Sequence, residues 1–296
     1  MKKIALTAAV LFAMTGAHAY QVEVQGQSEF VDTTENNKNY TGDIQGTYYL
    51  KDVDASKGPL AEAAFLNQAS SVSLGYHYGK YNVKNGIDYE NSTFGVKGET
   101  YFTTPYTASL PLYASASYNH TILDGKNNQT QDDKGDRYSV EVGALPAQNF
   151  LIAAGYTRAN PIALDSTDIL NYGIAKAYGE ATYSHHQDFA TARAKYVGAI
   201  DGTNMSVGFE VKGIFNSDRA AYGLKTDLYL NPALSVGASF ADTSNLHSGF
   251  DHVWGANVNY FITPAVAVGA TYVKANAQNG NSNDTDTIGL NARVRF

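Results

Sequence analysis

The chain has 296 residues, no cysteine and a formal charge of −7. The absence of cysteine excludes a disulfide-stapled fold, and the acidic balance argues against nucleic acid as a partner. A mean hydropathy of −0.29, with no long apolar run after Met14, excludes a helical membrane protein.

The first segment reads as a secretory signal. Met1, Lys2 and Lys3 form a positive start, Ile4 to Met14 is apolar but too short to span a bilayer, and Ala17-His18-Ala19 fits the small-x-small cleavage pattern. This places the signal at residues 1–19 and the mature start at Tyr20. Loss of Lys2 and Lys3 takes the charge from −7 to −9. An exported chain without disulfides needs another source of stability, and a closed transmembrane barrel is the remaining way to sit in a bilayer.

From Tyr20 onward the pattern has period two. Tyr20, Val22, Val24, Gly26, Ser28 and Phe30 interleave with Gln21, Glu23, Gln25, Gln27 and Glu29. Tyr40 to Leu50 repeats the alternation, with Asp43, Gln45, Thr47 and Tyr49 on the second face. Val72 to Tyr78, Phe94 to Phe102, Leu112 to Tyr118 and Tyr138 to Val142 follow. Further strands lie around Met205 to Lys212, Leu224 to Leu230, Trp254 to Tyr260, Val266 to Tyr272 and Thr287 to Phe296. Such alternation in strand after strand, with tyrosines near the ends, is the pattern of strands that face lipid on one side and a polar lumen on the other. Aromatic girdles account for the 22 tyrosines, and tilted, curved strands for many of the 27 glycines.

Short turns at 144–149, 201–204, 231–233 and 263–265 alternate with longer polar loops such as 124–136 and 276–284, as in outer-membrane barrels. With both ends of the mature chain on the periplasmic side, seven strands run forward to Ala159 and seven more start near Thr191. The expected fold is an all-β, antiparallel, up-and-down transmembrane barrel of fourteen strands over residues 20–296. Strands of about 9–11 residues would use roughly half of the mature chain. Twelve and sixteen strands are the alternatives, because Gly173 to Tyr183 also alternates. Phe296, closing the last alternating strand, resembles the signal that barrels carry for their insertion machinery.

Two segments break the pattern. Lys57 to Asn67 stands where a short periplasmic turn belongs, and its proline followed by helix-favouring residues suggests a helical turn. It is either a packed surface turn or a lid over the inner mouth, with Pro59, Leu60, Phe65 and Leu66 as gating candidates. Asn160 to Phe189 is either an external flap or a loop folded inward as a constriction.

Gly46-Thr47-Tyr48-Tyr49-Leu50, Lys57 to Leu66 and Ala233 to Ser239 together resemble the small porins of Gram-negative outer membranes, in particular the Acinetobacter-type water-channel porins. The likeness runs from Ala17 to Phe296, with the lysine-glycine-proline-leucine segment as its more specific motif. It implies a fourteen-stranded barrel in the outer membrane and passive permeation, and it carries over no catalytic residue.

Enzyme and metal chemistry find little support. Adjacent residues of His185-His186-Gln187-Asp188 point apart on a strand. His247-Ser248 with Asp242 and Asp251 lacks any sequence evidence of triad geometry. Lys134 interrupts Asp132-Asp133-Lys134-Gly135-Asp136 as a calcium loop. The expectation is no enzyme, no catalytic or metal site and no cofactor. Function is expected in the lumen, lined by Glu23, Glu29, Asp43, Lys97, Glu99, Glu141, Arg193, Lys195, Glu210, Lys212, Lys225, Asp227, Arg293 and Arg295. These charges either set a selective field or pair and fill a narrow barrel. Expected partners are outer-membrane lipid and lipopolysaccharide, water and small polar solutes, and the insertion machinery through Phe296. A barrel sealed inside, acting in adhesion through its loops, is the alternative function.

Overall fold

The computed structural model describes residues 19–33, 39–82, 88–107, 109–127, 131–160, 162–168, 187–217, 220–244, 250–277 and 284–296. Residues 1–18, most of the 160–189 loop including Gly173 to Tyr183, His185-His186 and His247-Ser248 lie outside them.

Fourteen antiparallel strands close into one barrel. In chain order they are β1 (Ala19–Thr33), β2 (Asn39–Asp54), β3 (Ser71–Asn82), β4 (Asp88–Phe102), β5 (Leu112–Gly125), β6 (Asp133–Ala147) and β7 (Phe150–Ala159). Then come β8 (Gln187–Ala199), β9 (Ser206–Phe215), β10 (Ala220–Asn231), β11 (Leu234–Ser244), β12 (Phe250–Thr263), β13 (Val266–Ala277) and β14 (Thr285–Arg295). Every strand pairs with its sequence neighbours, and β1 pairs with β14 to close the ring. No backbone edge is left to lipid, as a bilayer requires. The count is fourteen rather than twelve or sixteen, because β7 pairs directly with β8, Ala159 opposite Gln187, leaving no place in the wall for another hairpin.

The alternation sets the two faces. Phe30, Leu74, Val142, Trp254 and Leu290 are exposed outward, while Glu29, Thr93, Asn119 and Thr287 on the inner face are buried. Aromatic side chains pack across neighbouring strands on the outer surface, as Tyr118 with Tyr138 (ring centroids 5.0 Å apart) and Phe240 with Trp254 (4.4 Å). Such contacts stabilise the register.

Three expectations need correction. Tyr20 is buried inside, not outward with Val24, because a register shift between Tyr20 and Val22 breaks the period of two. The strands reach 16 residues in β2, beyond the expected 9–11, because the hydrogen-bonded ladders continue past the depth of a bilayer. For the same reason the expected loop 124–136 shrinks to 126–132, β13 extends to Ala277, and β6 runs through the expected turn as far as Ala147.

Candidate permeation pathway

Two segments enter the barrel. At the short-turn end, the β2–β3 connection forms a 3-10 turn (Leu60–Glu62) and a four-residue helix, α1 (Ala63–Leu66). Its apolar residues would be costly to leave in water, at about 25 cal/mol per Å², and the barrel interior is the surface that covers them. Ala63 packs with Tyr20, Tyr49 and Val53, whereas Leu60 packs with Phe261 and Ala267. On the opposite side Phe65 packs with Tyr113, Leu145, Leu151, Val197 and Tyr229, and Leu66 rests against that cluster. The segment therefore packs against β1, β2, β5 to β8, β10, β12 and β13 and crosses the mouth as a plug. Pro59, Leu60 and Phe65 are buried, and Leu66 is partly so.

Polar contacts tie the plug to the wall. Leu60 N donates to Pro232 O (2.8 Å), and Arg295 Nη1 donates to Leu60 O (2.9 Å). Glu62 Oε2 lies 2.9 Å from Lys195 Nζ, and Tyr229 Oη donates to Glu62 Oε1 (2.8 Å). Burial opposes ionisation of Glu62, but Lys195 and Lys225 outweigh it and hold its carboxyl below the usual carboxylate range. Arg295 also meets Glu23 at 2.7 Å and stacks over Tyr20.

From the long-loop end, residues 163–168 fold down to mid-height. Ser166 N and Oγ both donate to Asn119 Oδ1 (3.0 and 2.9 Å), halfway along β5. Leu164 N donates to Thr121 Oγ1 (3.2 Å), and Asp165 accepts from Asn119 and lies 3.7 Å from Arg137. Asp168 bridges Lys97 of β4 and Lys212 of β9, each at 3.2 Å. Glycine makes this approach possible, since a Cβ on Gly75 would lie 2.5 Å from Ser166 O.

Against the plug lies a cavity of about 220 Å³, lined by Ala61, Glu62, Ala64 and Phe65 and by the barrel wall. Ten of the fourteen charged residues named from the sequence line it, whereas Glu29, Asp43, Glu141 and Lys212 lie inside the barrel but away from it. The charges are paired. Arg193 reaches Glu210 (2.6 Å), Glu141 (3.7 Å) and Glu99 (4.0 Å), Lys225 reaches Asp227 (3.2 Å), and Arg293 reaches Glu23 (3.7 Å). Off the cavity, His77 Nδ1 sits 2.7 Å from Asp43, and Glu29 accepts from Thr41 (2.7 Å) and from Gln27. From β11 to β13 the cavity wall is instead neutral, with Ser235, Ser239, Asn257, Asn259 and Thr271.

Glu62, Asp165, Asp168, Asn119 and Arg137 were not singled out by the sequence. Acidic residues in a turn or loop carry no periodic signal, and their partners are far away in the chain. Among the residues weighed for enzyme or metal chemistry, Asp188 bonds Tyr156 (2.5 Å), Asp242 bonds Tyr222 (2.8 Å), and Asp136 bonds Tyr118 (2.7 Å) and His120 (2.8 Å). No group of three potential metal ligands occurs among the described residues.

A closed barrel with an apolar outer belt and a polar, partly open lumen is the architecture of an outer-membrane channel. The whole chain, residues 1–296, matches the sequence family described as "Putative general bacterial porin", and it belongs to that family of outer-membrane proteins. Among solved structures it is similar to the Acinetobacter baumannii outer membrane protein Omp33, with 53% identity, a TM-score of 0.70, and 95% of this chain and 100% of that chain covered. A Pseudomonas aeruginosa FadL homologue (11% identity, TM-score 0.53, 96% and 92% covered) shares the fold. So does the TodX deltaS2S3 mutant monoaromatic hydrocarbon channel (10%, 0.53, 95% and 91%). No curated protein matches the chain.

Proposed function

We propose that this porin is a passive diffusion channel for water, ions and small polar solutes, narrowed at the periplasmic mouth by the plug at 57–67 and at mid-height by residues 163–168. The observation that carries this reading is the polar cavity that opens against the plug inside the barrel, one wall of which is free of charge. Pro59, Leu60, Phe65 and Leu66 act as the gate, and the paired charges from Glu23 to Arg295 set the field a solute crosses. The chain acts without enzyme chemistry or a metal. Residues 1–19 are the signal and Tyr20 starts the mature chain. Phe296 addresses the insertion machinery, and the outer belt meets lipid and lipopolysaccharide.

Deleting Lys57 to Leu66 and bridging with a short glycine turn should raise single-channel conductance in planar bilayers and solute uptake in liposome swelling. Heat-modifiability on gels checks that the barrel is folded. Equal conductance for the folded deletion and the parent would remove the plug as the restriction. No conductance from either would favour the sealed, adhesive barrel.

A further inference from the structure

The plug fills a receptor for a carboxylate with a carboxylate of its own. Glu62 is the one acidic residue of the segment that enters the mouth, and each of its oxygens meets a different donor on the wall: Lys195 of β8 at 2.9 Å and Tyr229 of β10 at 2.8 Å. A cation and a hydroxyl converging on the two oxygens of one carboxylate is a recognition geometry with charge-assisted hydrogen bonds. Both donors sit on rigid strands, whereas the group they hold sits on a short connection.

The surroundings suit the same ligand. Lys225 and Arg293 line the adjoining cavity, and their side chains are 24% and 22% exposed, against 9% for Asp227 and 7% for Glu23, their partners. The positive groups thus face the cavity more than the acids that pair with them. If Glu62 withdraws, the closest acid to Lys195 is Glu210 at 3.8 Å. Lys195 and Tyr229 would then be left short of their acceptor, which is costly in a mostly desolvated site. A carboxylate arriving from the cavity would replace it.

We propose that Lys195 and Tyr229, with Lys225 beside them, bind the carboxylate of a small solute in competition with Glu62, so that such solutes loosen the plug and favour their own passage. This rests on the plug being the restriction. A ligand shifts a closed state only through its preference for the open one, and here that preference is built in, because the closed state already occupies the site. Apparent affinity is lowered by the fraction of channels in which Glu62 is bound.

The test is swelling of proteoliposomes in arabinose, with propionate, propionamide or chloride added at equal concentration, and equal ionic strength for the two salts. Propionate should speed swelling through the parent protein, and propionamide and chloride should not. E62Q should swell faster without propionate and reach half-maximal response at a concentration lower by about threefold or more, because its competitor is weakened. K195Q and Y229F, each shown folded by its heat-modifiable band, should lose the propionate response. If the 57–66 deletion swells faster but the parent ignores propionate, or if K195Q responds as the parent does, the carboxylate site is wrong and the plug stands. If the deletion changes nothing, both fall.

Discussion

From β4 to β9 the inner wall is charged and closed over, with Lys97, Glu99, Glu141, Arg193, Glu210 and Lys212 in contact with one another or with the in-folded loop. From β11 to β13 the residues that line the cavity, from Ser235 to Val273, carry no charge. This wall combines Ser235, Ser239, Asn257, Asn259 and Thr271 with apolar Phe261, Ala267 and Val273. Both walls belong to one barrel with one alternating pattern and the same kind of outer surface. The difference teaches that Lys97, Arg137 and Lys212 hold the loop, and under the proposed function the bare wall is the path of the solute. Cations on opposite sides of a sector, Lys97 on β4 and Lys212 on β9, have a common partner only because Asp168 comes between them.

The largest expected effect follows from removing that partner. Asp168→Asn leaves two lysines, about nine-tenths buried, without their shared carboxylate. Loss of one member of a buried charge pair costs about 2–5 kcal/mol, so the urea midpoint of the folded barrel should fall clearly. On the neutral wall, Asn257→Ala removes one hydrogen bond from Asn259 and should cost about 1 kcal/mol. Equal destabilisation by the two substitutions would erase the distinction between the halves.

The outer surface gives a control in which depth matters rather than the lumen behind it. Val140 stands halfway along β6 and is 51% exposed, so Val140→Arg should destabilise by about 2–4 kcal/mol. Val207 is the second residue of β9, near the short-turn interface, and Val207→Arg should cost only about 0–1 kcal/mol. Refolding into lipid vesicles across a denaturant series measures both. No loss at Val140 would overturn the assignment of that face to lipid.

Much of this was legible in the sequence because it is local. Period-two alternation placed strand faces, and parity placed the next strand after Ala159 near Thr191, four residues past its start at Gln187 in the structure. An apolar run in a periplasmic turn pointed to the insert at 57–67, because Leu60 and Phe65 have to be covered by something. The rest depends on contacts far apart in the chain. Asp168 meets Lys97 and Lys212 across 71 and 44 residues, and nothing in Asp165-Ser166-Thr167-Asp168 distinguishes a lumen strap from an external flap. Tyr20 was misplaced because a bulge has no reliable sequence mark. The bare wall was invisible for a simpler reason: Asn257 and Asn259 alternate like any inward polar residues, and only the assembled ring shows that three neighbouring strands turn no charge toward the cavity.

Glycine tests the two halves by steric contact rather than by charge. Beside the charged wall, on β3, a Cβ at Gly75 would meet the backbone of Ser166, with the oxygen at 2.5 Å and the carbonyl carbon at 2.8 Å. Backbone cannot rotate out of the way, so Gly75→Ala should push the loop from its seat and widen the lumen at mid-height. On the neutral side, a Cβ at Gly237 would meet only side-chain ends, Asp227 Oδ1 and Asn257 Nδ2, the latter at 2.5 Å. These two residues lie over Gly237 from the adjacent strands, where they stand opposite it in register. Gly237→Ala should lift them off the wall into the path, at a cost in stability of roughly 1 kcal/mol or less. The two glycine-to-alanine changes are chemically identical but should move single-channel conductance in opposite directions, upward for Gly75 and downward for Gly237. If both lower it, the loop at 163–168 is no obstacle to flow; if Gly237→Ala leaves conductance untouched, solute does not travel along β11 and β12.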